Sequence, residues 1–292
     1  MSSIYRTPES QRQIETQYRD FLERWPVPNR QFHVPTSQGD TFVIASGDED
    51  KPPLVLLHGA LANSMTWMGD IAALTRSFRV YAIDVIGEPG LSVPSRPSVQ
   101  SDAYASWLSD LVGGLGLDRF SLVGVSLGGW LALDYATRHP ESVDRMVLVC
   151  PAGVGRQKIG ILFKLLLLNM CGAWGKRKAR EAILVRVPSD VSPELRKFWD
   201  YFALIQKNVR PRRDRLPVLT DDALSALKMP VLAIVGAKDA LLDSFETRRR
   251  IEALPRGKAL LYSDAGHFIV GQGEVIHQFL AAESSVISVE PA

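Results

Sequence analysis

The chain has 292 residues, of which 46% are hydrophobic and 23% charged, and its formal net charge is +2. That length fits one large α/β domain or a domain carrying an insertion. The near-neutral balance gives no support to a nucleic-acid surface, and the two cysteines, Cys150 and Cys171, have neither metal nor redox spacing.

The first ten residues hold no apolar run of the kind a secretory signal needs. Residues 8–25 predict a helix, with Ile14, Tyr18, Phe21 and Leu22 forming an apolar stripe, and Pro26 and Pro28 ending it. Strands are predicted at 30–35 and 41–45 around a Gly39-Asp40 turn, and a buried strand at 53–57 runs into His58-Gly59-Ala60. A helix at 63–76 and a strand at 79–85 follow, the latter ending in Asp84-Val-Ile-Gly87-Glu-Pro-Gly90-Leu-Ser92. A helix at 102–115 has Asp102 at its N-cap position.

The stretch 120–130, Phe-Ser-Leu-Val-Gly-Val-Ser-Leu-Gly-Gly-Trp, organises the rest. An apolar run at 120–123 predicts a buried strand, and helical spacing begins at Trp130. Between them Gly124-Val-Ser126-Leu-Gly128 reads G-x-S-x-G. A strand that reverses into a helix within a few residues strains its central residue, and side chains two positions away on either side would clash. Such a turn presents the Ser126 hydroxyl at the top of a sheet, with a helix N-terminus behind it.

A strand at 143–150 follows, and there the alternation stops. Residues 152–224 contain no convincing buried strand and are Leu-rich, basic and predicted helical. Their greasiest part, 159–174, contains Lys164 and Asn169 and is too short to span a bilayer. Strand, helix, strand and helix then resume at 229–235, 244–254, 258–263 and 273–282. Alternating strands and helices predict an α/β fold, a mostly parallel central sheet with helices on both faces. The domain reading is an N-terminal helical segment at 1–28, a core at 29–151 and 225–284, a helical lid at 152–224 and a tail at 285–292.

Taken together, these features resemble the α/β-hydrolase superfamily, specifically its lidded serine esterases and carboxylesterases. The resemblance covers most of the chain between residues 30 and 280. It rests on His58-Gly59, Asp84-x-x-Gly87, the G-x-S-x-G turn, Gly236-Ala-Lys-Asp239 and Ala265-Gly266-His267, each following a predicted strand. Open α/β sheets bind ligands at that edge. The family's order Ser…Asp…His implies Ser126 as nucleophile and His267 as its base. Asp239 is then the group that orients His267, with Asp243 and Asp264 as rivals.

An oxyanion needs two aimed N–H donors. The turn offers the backbone N–H of Leu127, and the resemblance implies that of Ala60, with His58 supporting the loop. His33, His139 and His277 read as structural or exposed. The loop at 84–92 is one residue longer between its glycines than the common family form. Gly271-Gln-Gly273 follows His267 closely, and Asp243 stands where relatives often carry proline.

The lid's apolar residues Ile159, Ile161, Leu162, Phe163, Leu165 to Leu168, Met170 and Trp174 favour an apolar acyl or alcohol pocket. The basic clusters 176–180 and 210–215 read as solvated faces, with contact to anionic substrates or a membrane surface as the alternative. The expected activity is carboxylic-ester hydrolysis through an acyl-enzyme, on a small-molecule ester with an apolar portion. No cofactor, no metal, no nucleic acid and no stable membrane insertion are expected. The expected location is cytoplasmic, and oligomeric state is left open. Ser126 speaks against the haloalkane dehalogenases and epoxide hydrolases of the same fold, which use a carboxylate nucleophile. Carbon–carbon bond hydrolases, cofactor-free haloperoxidases and small-molecule receptors keep the same three residues and remain as alternatives. A nucleotide-binding protein has little support, since there is no P-loop and Ser126 breaks G-x-G-x-x-G.

Overall fold

Short runs rich in Val, Ile and Leu become strands, and the computed structural model gathers eight of them into one sheet. The structure describes residues 4–158, 192–212 and 214–282, together with the isolated positions 172 and 175. The strands are β1 (Asn29–Val34), β2 (Thr41–Ser46), β3 (Pro53–Leu57), β4 (Arg79–Ile83), β5 (Phe120–Val125), β6 (Val143–Val149), β7 (Val231–Gly236) and β8 (Gly257–Tyr262). Their order is β1-β2-β4-β3-β5-β6-β7-β8. β1 and β2 pair antiparallel, β2 pairs antiparallel with β4, and the remaining pairs are parallel.

The chain leaves β3 for β4 on one side and later returns to β5 on the other. The direction of winding therefore switches between β3 and β5, where open α/β sheets form their ligand crevice. His58 follows β3 and Ser126 follows β5, so the topology alone brings these two segments to one crevice.

Successive side chains of the inner strands enter two different cores. Val55 and Leu57 of β3, Met146 and Leu148 of β6, and Val231, Ala233 and Val235 of β7 pack on one face. That face is covered by the helices α3 (Ala103–Gly114) and α4 (Leu127–Arg138). Leu54 and Leu56, Val147 and Val149, and Leu232 and Ile234 pack on the other. There α1 (Pro8–Leu22) and the last helix, Gly273–Ala281, close over them.

The predicted helix at 63–76 is broken into a 3-10 turn, Ser64–Trp67, and one α turn, α2 (Ile71–Leu74). Its polar residues are committed elsewhere, which breaks a continuous helix. Ser64 donates from both N–H and Oγ to Asp84 Oδ1, Asn63 donates to Pro89 O and Tyr201 Oη, and Asp70 accepts the N–H of Gly273. Asp102 stands at the N-cap position of α3 without a side-chain cap bond.

The described parts of the expected lid are stitched to the rest of the chain. Helix Pro193–Asn208 packs on α1, with the Phe21 and Tyr201 rings 5.4 Å apart. Arg6 N donates to Asn208 O, and Arg210 N to Ile4 O. Ala152 and Val154 are buried in the sheet core, and Trp130 Nε1 donates to Pro217 O at 3.1 Å. The apolar stretch 159–174 (Gly172 apart), the basic cluster 176–180, Arg213 and the tail 285–292 lie outside the described residues.

Candidate active site

Ser126 is the hinge between β5 and α4, with φ 51° and ψ −106°. Its N–H donates to Val149 O, and its carbonyl accepts from Trp130 N and Ala152 N. A Cβ on Gly124 would lie 2.3 Å from Gly128 O, and one on Gly128 would lie 2.2 Å from Leu57 O. Both neighbours are backbone and cannot swing aside, so the two motif glycines are required by close approach as well as by the turn.

The structure brings three of the expected residues together. His267 Nε2 lies 3.0 Å from Ser126 Oγ, and Nδ1 lies 2.8 Å from Asp239 Oδ2. Asp239 is buried, and its Oδ1 accepts the N–H groups of Leu241 and Leu242. Burial alone would push its carboxyl upward. The hydrogen bond and charge of His267, then the two backbone N–H groups, outweigh burial and hold the carboxyl below its ordinary value. An ionised Asp239 only accepts, so the imidazole proton belongs on Nδ1 and Nε2 is left to accept from the Ser126 hydroxyl.

Neither rival carboxylate reaches His267. Asp243 caps helix Ser244–Glu252, accepting from Phe245 N and Glu246 N. Asp264 is exposed and paired with Lys238 at 2.7 Å. His33, His139 and His277 bond Leu91 O, Ser109 Oγ and Ser77 Oγ respectively, away from Ser126. Cys150 Sγ clusters with Asp239 and His267 within 4.8 Å. Burial, then the charge of Asp239, push its thiol up to about 12. Both ring nitrogens of His267 are already committed, to Ser126 Oγ and Asp239 Oδ2, and Cys150 Sγ donates weakly to Gly266 O at 3.9 Å, so the cluster has no free imidazole nitrogen for a metal.

Leu127 is the first residue of α4, so its N–H has no intrahelical acceptor and sits where the helix dipole favours negative charge. Leu127 and Ala60 both line a cavity that also contains Ser126 and His267. His58 supports the Ala60 loop from below. Its Nε2 accepts Val85 N–H at 2.9 Å, which places its proton on Nδ1, 2.8 Å from Gly59 O.

Two acidic residues of the loop after β4 complete this support. Asp84 accepts from Tyr18 Oη, Ser64 N, Ser64 Oγ and Leu91 N, which accounts for the Asp-x-x-Gly motif as a buried organiser. Glu88 is missed by sequence reasoning. It is 2% exposed, and its Oε2 accepts the N–H of Leu61 at 2.8 Å. Leu61 directly follows Ala60 and has φ 54°. Arg96 and Arg212 stand 3.6 and 3.9 Å from Glu88 Oε1. The extra residue between Gly87 and Gly90 was the available signal, since lengthening that loop gives Glu88 room to turn inward.

Two cavities meet at Ser126. One, of about 240 Å³, has Trp67, Phe202, Phe268, Ile269, Val270 and Ile276 in its walls. The segment after His267 thus forms an apolar wall, with Phe268 5.7 Å from Phe202 and 5.5 Å from Trp199 between ring centres. The other, of about 280 Å³, is lined by Gln157, Lys158, Arg212, Asp214 and Arg215 opposite Ser126. Among the described residues, the apolar walls come from the core and from helix Pro193–Asn208; the residues 159–174 expected to contribute lie outside the described residues, Gly172 apart. No helix among the described residues is long and apolar enough to cross a membrane.

Residues 52–169 match the family model for the alpha/beta hydrolase fold. The uncharacterized carboxylesterase nap of Bacillus subtilis is 31% identical over 282 residues, covering 92% of each chain. Carboxylesterase YbfK of the same organism is 32% identical over 269 residues, covering 89% of this chain and 90% of that one. The crystal structure of carboxylesterase CesB (YbfK) superposes with a TM-score of 0.79 at 31% identity, covering 94% of this chain and 99% of that one.

Proposed function

The chain belongs to the α/β-hydrolase family, and we propose that it is a serine carboxylesterase that works through an acyl-enzyme. The observation that carries this reading is the unbroken chain from Ser126 Oγ to His267 Nε2 at 3.0 Å and from His267 Nδ1 to Asp239 Oδ2 at 2.8 Å. It opens into cavities beside Ala60 and Leu127. A serine hydroxyl is a weak nucleophile until a base takes its proton.

In this reading Ser126 Oγ attacks the ester carbonyl carbon while its proton passes to His267 Nε2. The carbonyl oxygen becomes an oxyanion held by the backbone N–H groups of Ala60 and Leu127, worth about 10² to 10³ in rate for each donor. Asp239 stabilises the imidazolium and keeps its ring in place. Collapse breaks the bond to the alcohol, which leaves with the proton from His267. Water then enters, gives a proton to His267 and attacks the acyl carbon. The acid departs, and the proton returns to Ser126. Every proton is held by a group of the chain or by water. An apolar acyl or alcohol portion occupies the chamber walled by Trp67, Phe202 and Phe268.

The test is hydrolysis of a p-nitrophenyl ester chain-length series by the wild type and Ser126→Ala, alongside labelling by a fluorophosphonate probe. The wild type turns over and is labelled. Ser126→Ala is not labelled and is slower by about 10⁴-fold or more. A wild type inert to both esters and probe, or a Ser126→Ala variant as active as the wild type, overturns the proposal.

A further inference from the structure

The two cavities that share Ser126 differ in chemistry, and the difference speaks to the substrate. Among the described residues lining the apolar chamber, Asp70 is the one carboxylate, and that group accepts the N–H of Gly273 at 2.7 Å. Across the scissile position, the second cavity is rimmed by cations. Lys158 donates to the backbone carbonyl of Asp239 at 2.8 Å, which leaves two of its three N–H groups for other acceptors. Among the described residues, neither Lys158 nor Arg215 has a carboxylate within ion-pair distance.

Arg212 lies beneath them, with its side chain 5% exposed. It faces Glu88 at 3.9 Å and Asp214 at 3.5 Å, stacks over the Tyr104 ring at 5.3 Å and donates to the Tyr104 hydroxyl. Its Nε and Nη1 have no hydrogen-bond partner. Glu88 is shared with Arg96. Among the described residues that line this cavity, the cations Lys158, Arg212 and Arg215 outnumber the carboxylate of Asp214, and Ser126 lines the same cavity.

We propose that this second cavity is an anion subsite, so that the preferred substrate is an ester with an apolar chain on one side of the scissile bond and a carboxylate on the other. The proposal rests on the ester hydrolysis at Ser126 argued above and adds the substrate class. An exposed ammonium and an exposed guanidinium beside the reacting carbon meet a carboxylate by charge-assisted hydrogen bonds. The buried Arg212 adds to the same field from below. An uncharged polar group gains little of this.

The experiment uses two near-isosteric pairs with the anion on either side of the ester. Monohexyl succinate is compared with hexyl levulinate, and hexanoyloxyacetate with acetonyl hexanoate. The readout is the ratio of kcat/KM for the anionic ester to that for its neutral twin, in the wild type, Arg215→Glu and Arg215→Lys, each checked for an unchanged circular-dichroism melt. For one pair the ratio falls about tenfold in Arg215→Glu and stays near the wild-type value in Arg215→Lys. Raising NaCl to about 0.5 M lowers the wild-type ratio toward that of Arg215→Glu, because the Debye length shrinks to a few ångströms.

A ratio that Arg215→Glu leaves unchanged in both pairs overturns the anion subsite, and turnover of the neutral esters then leaves the esterase reading standing. A wild type that hydrolyses none of the four esters sinks both.

Discussion

Ser126 and Leu61 each contribute a wall to the same cavity, and both are non-glycine residues held at positive φ, 51° and 54°. Different forces hold them. The Ser126 turn is fixed by backbone against backbone, through a β-ladder bond to Val149 and the close approach of Gly124 to Gly128 and of Gly128 to Leu57. The Leu61 turn is fixed by side chains, with Glu88 on its N–H and His58 beneath Gly59. A left-handed non-glycine residue costs about 1–3 kcal/mol, and each wall offsets that cost in its own way. Steric support tolerates no added atom, whereas polar support tolerates a change of shape and fails with a change of charge or proton.

The largest expected effect breaks the steric wall. In Gly128→Ala the new methyl would meet the carbonyl of Leu57, on the strand that carries the His58 loop. Strand β3 is central and cannot retreat. We expect destabilisation of about 4 kcal/mol or more, with activity lost, measured by urea denaturation and ester turnover. A stable and active Gly128→Ala protein would show that the elbow relaxes, and the contrast between the two walls would fail.

The next effect separates geometry from charge on the polar wall. Glu88→Ala leaves the Leu61 N–H without its acceptor and frees the Ala60 peptide to reorient. A fall in kcat of about 10²-fold with little change in KM is expected, the size of one lost oxyanion donor. Glu88→Gln keeps a carbonyl oxygen for Leu61. Burial pushes the Glu88 carboxyl above the ordinary range, against the pull of Arg96, the Leu61 N–H and Arg212, and the amide variant separates the acceptor geometry from the charge. Recovery of most of kcat in Glu88→Gln marks a positioning residue. Equal loss in both variants would mean that the ion pairs with Arg96 and Arg212 matter instead.

The same contrast explains what was legible in the sequence. Backbone restraint leaves glycines behind, so Gly124, Ser126 and Gly128 could be read directly, and the apolar strands could be read from their length and composition. Side-chain restraint leaves no such trace. Glu88 lies 27 residues from Leu61 and much further from Arg212, and each is an ordinary residue for a loop until the fold brings them together. Asp239 was preferred over Asp243 by spacing; in the structure Asp239 lies 2.8 Å from His267 Nδ1, and Asp243 caps a helix. The predicted helix at 63–76 failed for the same reason that Glu88 was missed, since Asn63, Ser64 and Asp70 bind partners distant in sequence. The contribution of Phe268, Ile269 and Val270 to the apolar walls was equally hidden, because residues 268–270 carry no helical or strand periodicity.

The smallest effect tests whether His58 is held neutral. Burial lowers its pKa, against the opposing pull of Asp84 and of the bond to Gly59 O, and Val85 N–H requires a bare Nε2. The unfolded chain gains a proton on this residue near pH 6.5, whereas the folded chain gains it only at lower pH. Stability is therefore lost as pH falls below about 6.5, with a slope of up to about 1.4 kcal/mol per pH unit from this residue. His277 is lowered as well, by partial burial and Arg76, so wild-type slopes alone do not isolate His58. The difference between wild type and His58→Gln does. The variant is less stable at pH 8, but its stability falls less steeply between pH 6.5 and 5, as followed by urea denaturation at a series of pH values. Asp239, held low, acts below about pH 4 and lies outside this window. Equal slopes in the two proteins would mean that folded His58 takes up its proton as readily as the unfolded chain. An imidazolium cannot accept the Val85 N–H, so the polar account of the Ala60 wall would then have to be replaced by one resting on packing.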